Sequence, residues 1–125
     1  KKRLRTEAEQ RVILAKGGLI EDLLPVLDNL ERALAAGNSE HPLQSGVEMT
    51  ARLFQDTLTR HGVLRIVAVG ERFDPARHEA IGEVETIEHA AGVIVEELQP
   101  GYLMYDRVLR ASRVRVAKAP AETEE

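Results

Sequence analysis

Apolar residues recur at helical spacing along the opening stretch of the chain. Val12, Ala15, Leu19, Leu23, Val26, Leu30 and Leu34 step by three or four positions, which places them on one side of an α-helix. Leu4 and Ala8 carry the same stripe toward the N-terminus. Val12, Leu23 and Leu34 stand eleven apart, as do Leu19 and Leu30. A period of about 3.67 residues per turn makes paired helices run nearly straight, with no left-handed heptad coil. The pattern predicts one long helix over residues 2–36, about 52 Å in length. So long a stripe exceeds what a small chain covers by itself, and a second copy is the simplest cover. Val12, Leu19, Leu23, Val26, Leu30 and Leu34 are its predicted dimerisation residues. Gly17-Gly18 is an expected soft spot within this one helix, since a mid-helix glycine costs up to about 1 kcal/mol relative to alanine while the apolar phase continues across the pair without a slip. Pro25 removes a backbone donor and predicts a modest bend.

The segment Gly37-Asn38-Ser39-Glu40-His41-Pro42 reads as a loop. A second helix is predicted over residues 43–61, with Leu43, Val47, Ala51, Phe54 and Leu58 on one face and Gly62 as its stop. Val47 and Phe54 join the predicted dimer contacts, because two helices per protomer make a four-helix bundle in a dimer. Gly46 weakens the first turns of this helix unless another backbone comes close.

From Val63 the pattern changes to short β-branched runs bounded by turns. Strands are predicted at residues 63–69, 92–98, 102–105 and 108–110 and around Val114 and Val116, with a turn at Gln99-Pro-Gly101. Phe73-Asp74-Pro75 reads as the start of a helix, Asp74 as N-cap and Pro75 at the first helical position. The expected class is α+β. A dimerising stalk (1–36) leads into a loop and bundle helix (37–62), a small all-β barrel or sandwich (63–118) and a disordered acidic tail (119–125).

Composition narrows the function. The chain has 125 residues, 43% of them hydrophobic and 30% charged, with net charge -4 and only 3% aromatic residues. That is a folded chain without the large rings of a big compact core. No cysteine is present, which excludes disulfides and thiolate chemistry and fits a cytoplasmic location. No apolar run reaches the roughly 20 residues of a membrane span. The chain opens on Lys1 rather than Met, as a segment of a longer protein would. His41, His61, His78 and His89 lack metal-ligand spacing, and Ser39, Ser45 and Ser112 lie in no nucleophile elbow. Neither a phosphate-cradling glycine loop nor a dinucleotide fingerprint occurs. The expectation is a dimeric binding protein without metal, cofactor or catalytic residue. Lys1, Lys2, Arg3 and Arg5 make the start basic, a solvated helix face or a contact for an acidic partner. The scarcity of exposed aromatics and the net negative charge argue against nucleic acid.

Several motifs resemble one family when taken in order. They are Leu23-Leu-Pro-Val-Leu-Asp-Asn-Leu-Glu-Arg-Ala-Leu34, Gly46-Val-Glu-Met49, Phe73-Asp-Pro-Ala-Arg-His-Glu-Ala-Ile81 and Val95-Glu-Glu-Leu-Gln-Pro-Gly-Tyr102. Asp106-Arg-Val-Leu-Arg110 and Val114-Arg-Val-Ala-Lys118 complete the set. Together they resemble the GrpE family of nucleotide exchange factors for DnaK-type chaperones. The resemblance implies a homodimer whose β domain grips the ATPase domain of the chaperone and opens its nucleotide cleft. It maps chaperone contacts onto Phe73, Asp74, Pro75, His78, Leu98, Arg107, Val116 and Gly46. Arg110-Ala111-Ser112 and Arg113 depart from the more apolar family pattern, and imply a more polar edge on the last strand. The alternative of a different class is a dimeric structural adaptor whose β domain docks another protein.

Overall fold

The computed structural model describes residues 6–38 and 40–121. The basic start at Lys1–Arg5 and the end of the acidic tail, residues 122–125, lie outside the described residues. The chain divides into a helical unit that ends at His61 and a β unit that begins at Gly62.

Helix α1 (Glu7–Ala36) begins on a capping box. Thr6 Oγ1 accepts the Glu9 amide at 3.1 Å, and the Glu9 carboxylate accepts the Thr6 amide at 3.0 Å. Two orphan donors of the first turn are thereby satisfied. The helix runs unbroken through Gly17, Gly18 and Pro25, as the uninterrupted apolar phase led one to expect. Gly17 is buried and Gly18 exposed. A turn tied by the Gly37 amide to Leu34 O ends the helix.

Helix α2 (Pro42–Arg60) starts with His41 as N-cap, its Nδ1 accepting the Leu43 amide at 3.1 Å, and with Pro42 at N1. Gly62, at φ +83°, turns the chain out of the helix. Helices α1 and α2 pack on each other through Ile20, Leu24 and Leu27 from one side and Ala51 and Leu58 from the other. Gln55 donates to Glu31 Oε2 at 2.7 Å, and Gln44 to Leu34 O at 3.1 Å.

The face of α1 used within the chain is therefore not the predicted stripe. Leu24 and Leu27 are fully buried, whereas Val12, Leu19 and Val26 remain 54%, 62% and 49% exposed. The apolar arc of this helix is wide enough for two partners. On α2 the predicted face holds at Ala51 and Leu58, with Val47 and Phe54 half-buried, but Leu43 faces solvent.

The β unit contains two three-stranded sheets. In the first, β1 (Val63–Arg65), β4 (Tyr102–Met104) and β5 (Arg107–Arg110) are antiparallel in the order β1-β4-β5. In the second, β6 (Ser112–Lys118) lies between β2 (His78–Glu85), to which it is parallel, and β3 (Ile94–Gln99), to which it is antiparallel. Strand β6 is thus central in its sheet. Its Ser112 and Val114 point inward, while Arg113 and Arg115 face outward and pair with Glu79 and Glu96. These exposed pairs contribute little to stability.

Two local readings also change. Strand β1 stops at Arg65, because Ile66 turns inward and its amide bonds to Gly101 O at 2.9 Å. No helix follows Asp74. One turn forms there, and the chain enters β2 at His78, since the Arg77 carbonyl is taken by the Ser112 amide of β6.

Candidate interaction surfaces

The Phe73–His78 motif is a self-bonded turn. Asp74 caps it as predicted: its Oδ1 accepts the Ala76 amide at 2.9 Å, and its carbonyl accepts the amides of Arg77 and His78. The Asp74 amide in turn donates to His78 Nδ1 at 2.9 Å. His78 is buried, 5% exposed, and its ring centroid lies 6.0 Å from that of Phe73. An Nδ1 that accepts fixes the neutral ring with its proton on Nε2. The turn is held from below by the core. Phe73 and Val116, both half-buried, pack against Ala68, Ile94 and Val114. These two predicted contact residues therefore share one core cluster, each with one side committed to it. Pro75 and Asp74 form the exposed crown.

Leu98 and Arg107 stand elsewhere on the unit. Leu98 projects from β3 of the second sheet, 44% exposed, beside a register shift between Glu97 and Gln99. Arg107 opens β5 of the first sheet, exposed and opposite Met104. It follows a turn whose Tyr105 sits at φ +55°, a left-handed conformation unusual for a tyrosine. The turn sits one residue earlier than the sequence suggested, at Tyr105-Asp106. Gly46, in the helical unit, is exposed, and nothing lies within 4 Å of where its Cβ would be. No backbone of this chain uses the space, which leaves it open to another chain.

The helical unit carries an apolar groove of about 430 Å³ whose walls include Leu19, Ile20, Leu23, Phe54 and Leu58. Leu19, Leu23 and Phe54 are three of the predicted dimer residues. Leu30, Leu34 and Val47 are half-buried.

Sequence reasoning missed a clamp in the β unit. Arg110 donates from Nε and Nη2 to Pro100 O at 3.0 and 2.6 Å and lies over the Tyr102 ring at 5.6 Å. Ser112 Oγ accepts the Gly101 amide. The Pro100-Gly101 turn and the Arg110-Ala111-Ser112 segment thus hold each other. An arginine ten residues after a Pro-Gly pair was the one available signal. Among the described residues, no group of three or more His, Asp or Glu side chains is arranged to hold a metal ion, and no helix is long and apolar enough to cross a membrane.

Comparison with known proteins agrees with the motif order. A family model described as GrpE matches residues 1–118. "Protein GrpE" of Exiguobacterium sibiricum is 44% identical over 121 residues, covering 94% of this chain and 64% of that protein. The Syntrophobacter fumaroxidans protein of the same name is 41% identical over 126 residues, with 98% and 67% covered. That of Lactiplantibacillus plantarum is 45% identical over 120 residues, with 91% and 60% covered. The chain therefore spans roughly two thirds or less of the length of these relatives. With the family model matched from the start of α1 through the last strand, the chain belongs to the GrpE family.

Proposed function

We propose that this chain is a nucleotide exchange factor: a homodimer that binds the ATPase domain of a DnaK-type chaperone, opens its nucleotide cleft and accelerates ADP release. The observation that carries the reading is the family match over nearly the whole chain. The form of the matched Phe73–His78 motif, an exposed turn braced by its own hydrogen bonds and by the core, supports it. A surface that must deform another protein has to be stiffer than what it deforms. Phe73, Asp74, Pro75, Leu98, Arg107 and Val116 are the proposed chaperone-facing residues, with the buried His78 bracing the turn from within and Gly46 as an open backbone position on the helical unit.

The mechanism is negative coupling. A partner that binds the open ATPase domain better than the closed one weakens ADP binding by the same factor, because linkage is reciprocal. Faster release is its kinetic expression, and no catalytic group on this chain is required. Dimerisation is supported by the exposed stripe Val12, Leu19, Leu23 and Val26 and by the groove that Leu19 and Leu23 share with Phe54. The test is stopped-flow release of labelled ADP from a matched chaperone. A rate rising to a plateau with added protein is expected, and an unchanged rate at saturation refutes the reading. Arg107→Ala is expected to weaken the complex while sedimentation shows the dimer unaltered.

A further inference from the structure

The β unit carries a second groove, of about 360 Å³, beside the Phe73–His78 turn. Leu64, Val67 and Leu103 give it an apolar side, and Arg72 and Arg77 give it a cationic one. Leu64 and Val67 are 56% and 71% exposed, large aliphatic side chains that a polar rim would ordinarily not leave open together. The third guanidinium of the groove, Arg65, is engaged by Glu97 at 3.3 Å. Among the described residues, neither Arg72 nor Arg77 forms an ion pair with a carboxylate. His78 belongs to the wall, and its Nε2, the protonated nitrogen, is buried without an acceptor. The wall therefore holds cationic capacity that no carboxylate among the described residues pairs with.

Glu71 and Asp74 also line the groove, and they decide what fits. They oppose a polyanion such as nucleic acid or a free phosphate. They tolerate a single carboxylate held on the Arg72 and Arg77 side, next to an apolar side chain seated on Leu64, Val67 and Leu103. That pairing is the chemistry of a protein segment. Resting on the exchange-factor reading, we propose that this groove is a further docking point for the chaperone's ATPase domain, taking one acidic side chain and its apolar neighbour. Arg72 and Arg77 then set partner preference by charge, while the braced turn supplies the rigid contact.

The experiment is titration calorimetry of the nucleotide-free ATPase domain of a DnaK-type chaperone at about 50 and 200 mM salt, which halves the Debye length from about 14 to about 7 Å. Arg72→Glu with Arg77→Glu is expected to weaken binding by about tenfold or more at low salt, where truncating charge complementarity acts most strongly. It should also flatten the salt dependence. Arg72→Gln with Arg77→Gln gives a smaller loss in the same direction and keeps the test valid if the reversal harms folding. Arg113→Gln, whose side chain is committed to Glu79 on the outer face of β6, should bind as the unmodified chain does. Affinity within about twofold for both double variants overturns the groove and leaves the exchange-factor reading standing. Absence of binding by the unmodified chain removes both.

Discussion

Ser112 offers the sharpest measurement of what holds the β unit together. Its side chain is fully buried, and its Oγ accepts the amide of Gly101, itself buried, at 3.1 Å. Ser112→Ala deletes one neutral hydrogen bond and strands a buried donor, a change of about 1–3 kcal/mol. Removal of the hydroxyl also relieves its own desolvation, so a net loss of about 1.5 kcal/mol is expected. For a unit of this size that lowers the midpoint of thermal unfolding by about 6–12 °C. The chain reports the two units separately. It has no Trp, and both of its tyrosines, Tyr102 and Tyr105, lie in the β unit, whereas helical ellipticity at about 222 nm is dominated by α1 and α2. Tyrosine emission during urea unfolding should therefore shift to a lower midpoint with an unchanged slope. A shift worth less than about 0.3 kcal/mol would refute the reasoning, since it would mean that the Gly101 amide finds another acceptor at no cost.

Two other substitutions probe glycines in opposite senses. Gly101→Ala places a Cβ 2.6 Å from Arg110 O and 2.7 Å from the Ala111 carbonyl carbon; backbone cannot yield as a flexible side chain does, so a loss above about 3 kcal/mol is expected by tyrosine emission. Gly18→Ala meets nothing within 4 Å on a helical backbone, and should raise the helical melting midpoint with a gain of up to about 1 kcal/mol. A fall in that midpoint would mean that the open space at Gly18 is filled by a second chain.

The helices were legible because their signals are local. Capping residues, a proline at N1 and a glycine past the end lie within one turn of what they control, and α2 ends within one residue of its expected boundary. The turn at Asp74 was legible for the same reason, but its continuation was not. Whether Ala76 and Arg77 extend a helix or lead into a strand depends on Ser112 of β6, which captures the Arg77 carbonyl from far along the chain. Strand β2 was missed accordingly: its Glu79, Glu83 and Glu85 mimic a solvated loop, and cross-strand partners Arg113 and Lys118 balance the first two. Among the candidate contact residues, the motif marked the Phe73 turn as a unit. Only coordinates place Val116 beside Phe73 on one core cluster, and only they reveal the unspent Arg72 and Arg77. One helix was legible across Gly17-Gly18 because the apolar phase continues from Ala15 to Leu19 without a slip, and the helix runs through both glycines.

The two apolar faces of α1 make opposite demands, and that difference is measurable. Ile20, Leu24 and Leu27 are satisfied by α2 at any protein concentration. Val12, Leu19 and Val26 are not, and α2 is too short to reach them all: 19 residues extend about 28 Å against about 45 Å for the 30 of α1. If a second copy covers the open face, association and helix stability are linked by mass action. The helical melting midpoint then rises with protein concentration, whereas the midpoint reported by Tyr102 and Tyr105 follows the β unit. Each tenfold increase adds about 1.4 kcal/mol to the association term. Leu23→Glu, which sets a charge on the open face and spares Leu24, should abolish that dependence and give a monomer in sedimentation. A helical midpoint independent of concentration in the unmodified chain, with a monomeric mass, would show that the exposed stripe serves a different partner.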